Sequence, residues 1–537
     1  MSPGRAQANA SVSMLYLVGE LSSAPAQEIG ETLQRLIFVW LASLCGLLWG
    51  EANGSEGGGY DQAFRPQFHF SPREHWTNDP NGLVFFEGEY HLFFQYNPFG
   101  DKWGHMSWGH AVSRDLVHWE ELPVALAEEN GVMIFTGSVV VDQTNSSGFC
   151  TGGKPCLVAV WTGHTSKTAT KPVLQTQNIA FSNDRGRTWT KYRGNPVLNL
   201  NMTDFRDPKV FWSAQAKRWV MAVALPNEHK VLIYGSANLK QWKRLSEFGP
   251  AGSTGGQWEC PELFEAPLGA GGETRWVLKV GLNPGAVAGG SGEQYFVGRF
   301  DGERFENDNP PTTTLWTDYG KDCYCALTYN NLPKTQAPLM LGWMSNWQYA
   351  DRVRTSPWRG QMTLARKLAL RRTTEGIRLI QQPADGLAAL RETRIPVHES
   401  MSDTGHQFQF SSIVPLGTAQ EAGWKILMKG DTFTSIGYDR RKGVLFVDRN
   451  HSGDVAFSAD FPARTEAPLK LIGDSLRLNV VVDRNSVEVF AEDGRVVMTN
   501  LVFAPAGAGG LQFYADGGKA GVVSGSLWKL RTGWVDH

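Results

Sequence analysis

The sequence predicts an all-β protein, a five-bladed β-propeller followed by a C-terminal β-sandwich, and three observations carry that reading. Helical periodicity is nearly absent from Tyr60 to Pro383, where short apolar or alternating runs such as LVFFEGEYHLFFQY, MIFTGSVVV and WVMAVAL recur between Gly-rich turns. Two motifs repeat through that region at intervals suited to one supersecondary unit. Beyond Gln382-Pro383 the pattern changes to strands spaced about 8 to 12 residues apart, which is the spacing of a sandwich.

Taken in chain order, the first element is a leader. Arg35 precedes a 15-residue apolar run over residues 36–50, LIFVWLASLCGLLWG, which suits a signal-peptide core and is short for a membrane span. Residues 1–59 are therefore expected to be leader and linker, with cleavage near Gly50 and Ala52 and a secreted product, extracellular or periplasmic. An uncleaved anchor is the alternative; no stable membrane partner is expected.

The propeller is expected over residues 60–383. One repeat is a Ser, then Asp or Asn, then a Trp at a strand end: Ser113, Asp115 and Trp119; Ser182, Asp184 and Trp189; Ser236, Asn238 and Trp242. In each, the polar residue can close a turn while the Trp packs between neighbouring sheets. Its copies start 69 and 54 residues apart. The second repeat places an acid beside a proline, at Asn78-Asp79-Pro80, Arg206-Asp207-Pro208 and Glu259-Cys260-Pro261, with the acids 128 and 52 residues apart. Phe135-Thr-Gly-Ser138 and Asp318-Tyr-Gly mark two further strand starts, giving five units of roughly 50 to 70 residues. In a propeller the innermost strand of every blade lines one axial channel, so acids at equivalent positions converge at one mouth. A linker over residues 384–395, with a short helix in DGLAALRETR, and a sandwich over residues 396–537 complete the chain.

Composition narrows the chemistry. A formal charge of −2 with 19% charged residues offers no basic surface for a phosphate backbone, so nucleic acid is not an expected partner. The chain carries 20 Trp, 28 Phe and 13 Tyr, which pack between sheets and also supply faces for sugar rings. Of six cysteines, Cys45 lies in the leader. Cys150 and Cys156 flank a turn-rich loop that can close a small disulfide; Cys323 and Cys325 alternate on a strand and are poorly placed to bond to each other. Cys and His spacings resemble no zinc site. His105 and His110, at alternating strand positions, lack a third ligand, so neither metal nor cofactor is expected.

A single Asp-Pro is usually a turn. Three acids at blade periodicity instead suit glycosidic bond cleavage, in which retaining enzymes use one carboxylate as nucleophile and a second carboxyl as acid and then base. Motif by motif the chain resembles glycoside hydrolase family 32, the invertase, inulinase and levanase family. Trp76-Thr-Asn78-Asp79-Pro-Asn-Gly82 is similar to its WMNDPNG box, with Thr77 in place of Met. Phe205-Arg206-Asp207-Pro208 resembles its RDP box and Trp258-Glu259-Cys260-Pro261 its WECP box. Phe94-Gln95-Tyr-Asn-Pro98, the segment Trp103 to His110, and Phe135-Thr-Gly-Ser138 match between them.

The resemblance implies the same propeller and sandwich, and it implies roles. Asp79 is the expected nucleophile, Glu259 the acid/base, and Asp207, paired with Arg206 and ionised, the carboxylate that steadies the transition state. Asn78, Gln95, Trp103, Ser138, Arg206 and Trp347 are the expected substrate-binding residues, although Trp347 also reads as a packing aromatic and Gln95 as a structural strand-edge side chain. Glu259 must carry a proton near neutral pH, which two neighbouring carboxylates favour. The implied activity is retaining exo-hydrolysis of terminal β-D-fructofuranosyl residues from inulin, levan and sucrose by a monomer or homodimer. A sucrose-dedicated invertase is the alternative, followed by a fructosyltransferase and a non-catalytic carbohydrate-binding propeller.

Overall fold

The structure, a computed structural model, describes residues 59–167 and 172–534. The expected leader, with its apolar core at 36–50 and Cys45, lies outside the described residues. From Gln62 onward, regular structure is almost entirely strand, with short helical turns at Pro226–Glu228, Ala350–Arg352 and Asp385–Leu390. Among the described residues no helix is long and apolar enough to cross a membrane.

Five antiparallel sheets follow one another along the chain as blades I to V of a propeller. Their innermost strands are His75–Phe86, Val132–Asp142, Arg206–Ser213, Gln257–Pro267 and Tyr324–Thr328. The remaining strands of each blade are added outward, mainly in sequence order. The innermost strands are buried along most of their length, so their apolar runs replace the polar alternation of a half-exposed strand. Parallel pairing of His75 and Trp76 with Trp358 and Arg359, and a bridge from Val84 to Asn330, fasten blade I to the end of the ring.

The Ser, Asp and Trp repeat closes the outer hairpins of blades I to III. In blade I, Ser113 Oγ accepts from the Leu116 amide and Asp115 Oδ1 from the amides of Val117 and His118. Ser182 with Asp184 and Ser236 with Asn238 close the next two turns in the same manner. Blade IV carries a fourth copy, in which Asp301 Oδ1 accepts from the amides of Glu303 and Arg304. It escapes the sequence repeat because Arg299 and Phe305 stand where the others have Ser and Trp.

Each innermost strand breaks register with its neighbour once near the same end, leaving residues 78–79, 135–136, 207–208, 260–261 and 325–326 out of step. Such bulges bend a strand and redirect its side chains. They also explain the prolines: Pro208 and Pro261 fall inside bulges, where no ladder amide is needed. In blade I a second irregularity between Asn81 and Val84 uses Gly82 at φ 54, where a Cβ would lie 2.7 Å from both Phe93 and Val139. Only glycine combines that backbone with that approach.

Two six-stranded antiparallel sheets form the sandwich, around a core that includes Trp424, Phe410, Ile436 and Val489. The chain enters it earlier than sequence suggests. Arg391–Pro396, which begins inside the expected linker and ends at the first expected sandwich residue, pairs with Ser524–Leu530. That strand is nearly all polar and exposed, so no apolar alternation marks it. Propeller and sandwich meet through Phe68, Leu364, Val481 and Phe490 and through buried ion pairs. Arg366 bridges Asp318 of the propeller and Glu488 of the sandwich; Arg449 of the sandwich meets Asp322 of the propeller at 2.6 Å. His69 lies fully buried between Asp483, at 2.8 Å, and Glu488, at 2.9 Å.

Candidate active site

The bulged ends of the five innermost strands surround one cavity of about 180 Å³, lined by Asn78, Asp79, Gln95, Trp103, Phe135, Thr136, Arg206, Asp207, Glu259, Asn283, Tyr324 and Trp347. Its size suits a single sugar unit and is below that of drug-sized pockets. The three expected acids meet here, contributed by blades I, III and IV. Eight of the nine expected site residues line the cavity.

Ser138 is the exception and is corrected: its hydroxyl donates to the Pro208 carbonyl and accepts from the Val210 amide, both at 2.9 Å, so it stitches blade II to blade III. The bulge at residues 135–136 turns Phe135 and Thr136 toward the cavity in its place. Thr136 donates to Asp79 Oδ2 at 2.9 Å. Asp79 Oδ1 is buried and accepts no hydrogen bond of good geometry, although the residue as a whole keeps some surface open to the cavity. A carboxylate held in that way is poorly solvated, which disfavours its charged form.

Arg206 also departs from expectation. Its guanidinium does not pair with Asp207; it reaches Glu259 Oε1 at 2.9 and 3.1 Å and Asp204 at 2.9 Å, with Gln257 at 3.0 Å. The reason is local: Asp207, at φ 68, turns the two neighbouring side chains apart. Asp207 Oδ2 instead accepts from the Cys260 amide at 2.9 Å. Tyr324, which the sequence reading did not single out, donates its hydroxyl to Glu259 Oε2. Both oxygens of Glu259 are thus held, one by each neighbouring blade.

Electrostatics follow from this packing. Burial, with the charges of Asp207 and Glu259 adding, pushes Asp79 up to about 8; the Thr136 hydroxyl and Asn78 oppose the shift. Burial likewise raises Asp207 to about 7, against the pull of Arg206. Asp207 was expected to remain ionised, and the correction has a cause: the nearest guanidinium is spent on Glu259 and Asp204. Asp79 and Asp207, buried so close together, retain a proton near neutral pH. Burial works against the Arg206 charge, but Glu259 and Asp207 outweigh it and keep it firmly cationic. Burial pushes the Tyr324 phenol well above its usual range, and the charge on Glu259 adds to that, so it stays a donor.

The cavity wall is aromatic. Trp347 stacks on Trp76 with centroids 5.9 Å apart and packs against Trp343 at 4.8 Å, so it both lines the cavity and braces blade V. Trp76 Nε1 donates to Asn78 Oδ1 at 2.8 Å, fixing that amide. Gln95 also has both roles: its amide donates to the Ile134 carbonyl across two blades while it faces the cavity. At the rim Trp103 is 46% exposed and meets Phe135 edge-on. His105 and His110 separate, the first pairing with Glu128 at the surface and the second buried against His91.

Comparison with known proteins agrees with this geometry. The family described as glycosyl hydrolases family 32, N-terminal domain, matches residues 69–383, and its C-terminal counterpart matches residues 377–529. The chain is 47% identical over 504 residues to a levanase of Bacillus subtilis, covering 90% of this chain and 73% of the relative. It is 40% identical over 517 residues to an extracellular exo-inulinase of Aspergillus awamori, covering 88% and 96%. The crystal structure of exo-inulinase from Aspergillus awamori superposes with a TM-score of 0.83 at 38% identity, covering 88% of this chain and all of that one, 100%. A β-fructofuranosidase from Schwanniomyces occidentalis complexed with fructosyl-erythritol gives 0.79 at 34% identity, covering 88% and 99%.

Proposed function

Since the chain belongs to glycosyl hydrolases family 32, we propose that it releases terminal β-D-fructofuranosyl units from fructans and sucrose with retention of configuration. The observation that carries this reading is the single small cavity into which Asp79, Asp207 and Glu259 converge. A volume near 180 Å³ admits one ring and leaves the rest of the substrate outside, which favours removal of end units over cleavage within a chain.

In the proposed reaction Asp79 attacks the anomeric carbon of the bound unit and forms a fructosyl ester. Glu259 gives its proton to the departing oxygen, then takes one from the water that hydrolyses the ester. Its position suits both steps. At 19% side-chain exposure it stands nearer the mouth than Asp207, which is 6% exposed, and it can meet the leaving group and the incoming water in turn. Asp207 accepts hydrogen bonds from ring hydroxyls as positive charge develops on the sugar. The Arg206 and Tyr324 donors hold Glu259 on line.

Action outside the cell is part of the proposal. It is supported by relatives named extracellular and by two disulfides, Cys150 to Cys156 and Cys260 to Cys325, of the kind that persists in oxidising compartments. The test is the product profile on inulin and levan. Fructose alone, appearing first as the β-anomer by NMR, is expected; a ladder of oligomers or a first-formed α-anomer refutes exo-action or retention. Glu259→Gln is expected to lower kcat on sucrose by at least about 100-fold.

A further inference from the structure

Beneath the pocket, the innermost strands of blades III, IV and V repeat one arrangement. Arg206, Glu259 and Tyr324 occupy equivalent positions, each followed by a residue in the left-handed region: Asp207 at φ 68, Cys260 at φ 48 and Cys325 at φ 45. The upper residues form one hydrogen-bonded row, in which Arg206 and Tyr324 both donate to Glu259. The lower residues form a second row. The Cys260 amide donates to Asp207 Oδ2 at 2.9 Å, and Cys260 is joined to Cys325 by a disulfide across the gap between blades IV and V. Cys260 Sγ also lies 3.9 Å from Asp79 Oδ2. Cys260 therefore follows Glu259 in the chain, hydrogen-bonds Asp207 and contacts Asp79.

We propose that the Cys260–Cys325 cystine is a positioning element of the catalytic site, a covalent tie beneath Glu259 and Tyr324 that keeps these consecutive-blade side chains in hydrogen-bond register and floors Asp79. The inference rests on the reading of Glu259 as acid/base. Physical need for such a tie comes from the backbone and the charges together. Non-glycine residues in the left-handed region relax unless their surroundings over-determine them, and here both cysteines are of that kind. Three acids crowded in one cavity repel each other and favour any motion that spreads the blades. A cross-link between the residues directly after Glu259 and Tyr324 opposes both tendencies where an error matters most. Each sulfur is buried, with Cys260 1% and Cys325 0% exposed, so the cystine adds no polar contact to the cavity and acts through its neighbours.

The alternative is an ordinary cross-link that stabilises the ring without shaping the site, and kinetics separates the two. Fructose release from sucrose is measured on the full chain at temperatures well below melting for wild type, Cys260→Ala/Cys325→Ala, Tyr324→Phe, the combination of all three, and Cys150→Ser/Cys156→Ser as a remote cross-link control. The expected result is a kcat roughly 10- to 100-fold lower without the cystine, with KM within about three-fold because ground-state binding is spared. In the Tyr324→Phe background the loss should shrink sharply, since both changes release the same contact; the control pair should keep wild-type kcat. A folded double variant with wild-type kcat overturns the proposal, as does full additivity with Tyr324→Phe. Failure to fold, both for the Ala pair and for Cys260→Val/Cys325→Val, also overturns it, because the cystine is then a requirement of the fold. Wild-type protein and control that release no fructose from either sucrose or inulin would instead refute the functional reading beneath it.

Discussion

Replacing Thr136 by valine tests the site through a residue that contributes one hydroxyl and nothing else to the proposed chemistry. The side chains are nearly isosteric, and Thr136 is 4% exposed, so the substitution removes the hydrogen bond to Asp79 Oδ2 at 2.9 Å with little change in packing. A hydrogen bond to a charged acceptor contributes about 1.5 to 3 kcal/mol, and about 1.36 kcal/mol corresponds to one pKa unit. Asp79 should therefore become harder to ionise by about one to two units, in the direction already set by burial. Because the cavity's carboxyls share protons, part of this spreads over the cluster, leaving about one unit in the acid-side limb of kcat/KM. Initial rates on sucrose from the acid through the alkaline range measure it. Thr136→Val is expected to move that limb to higher pH and to lower kcat about ten-fold on its plateau, while Thr136→Ser restores both. A folded Thr136→Val enzyme whose limb stays in place would refute the view that this hydroxyl tunes the nucleophile.

Two further outcomes concern stability. Burial opposes the His69 charge, but the hydrogen bonds it donates to Asp483 and Glu488, with the charges of those carboxylates, outweigh it and raise His69 from 6.5 to about 9. The stabilisation, on the order of 2 to 4 kcal/mol, is complete below pH 6.5 and disappears as pH rises through 9; His69→Gln should lose that slope in Tm against pH, and an unchanged slope counts against the buried triad as its source. Asp79 behaves oppositely: its raised pKa means that ionisation between its unfolded value of 3.8 and its folded value of about 8 opposes folding. Asp79→Asn should therefore be inactive yet melt several degrees above wild type beyond pH 8, with the two converging in acid; equal melting temperatures at alkaline pH would show that the buried charge carries no such penalty.

Most of the architecture was legible because its signals are local. Turn-closing Ser and Asp with a following Trp announce a hairpin wherever they occur, and three of the four copies carry all of them. Strands buried on both faces show as apolar runs, which is why the innermost strands stand out. Arg391–Pro396 did not, because a polar edge strand gives period-two reading nothing to detect. The long-range disulfide from Cys260 to Cys325 was equally hidden: its halves lie 65 residues apart, and only the side-by-side packing of blades IV and V brings them together.

The acids of the site were legible in three blades because each has a proline beside it, a marker the other two blades lack. Pro80, Pro208 and Pro261 stand in or directly after the bulge beside Asp79, Asp207 and Glu259, whereas blades II and V have no proline at the bulge and so give Thr136 and Tyr324 no such marker. Aligning all five strands at this bend also separates acids that the sequence treats alike. Asp79 and Asp207 directly precede their prolines, but Glu259 stands one residue earlier, level with Arg206 and Tyr324. One residue along a strand is about 3.3 Å. That step lifts Glu259 from the buried layer of Asp207 to the mouth and sets it between two donors. The proposed roles accord with this step: Asp207, 6% exposed, suits charge stabilisation, and Glu259, displaced toward the opening, suits exchange of a proton with leaving group and water.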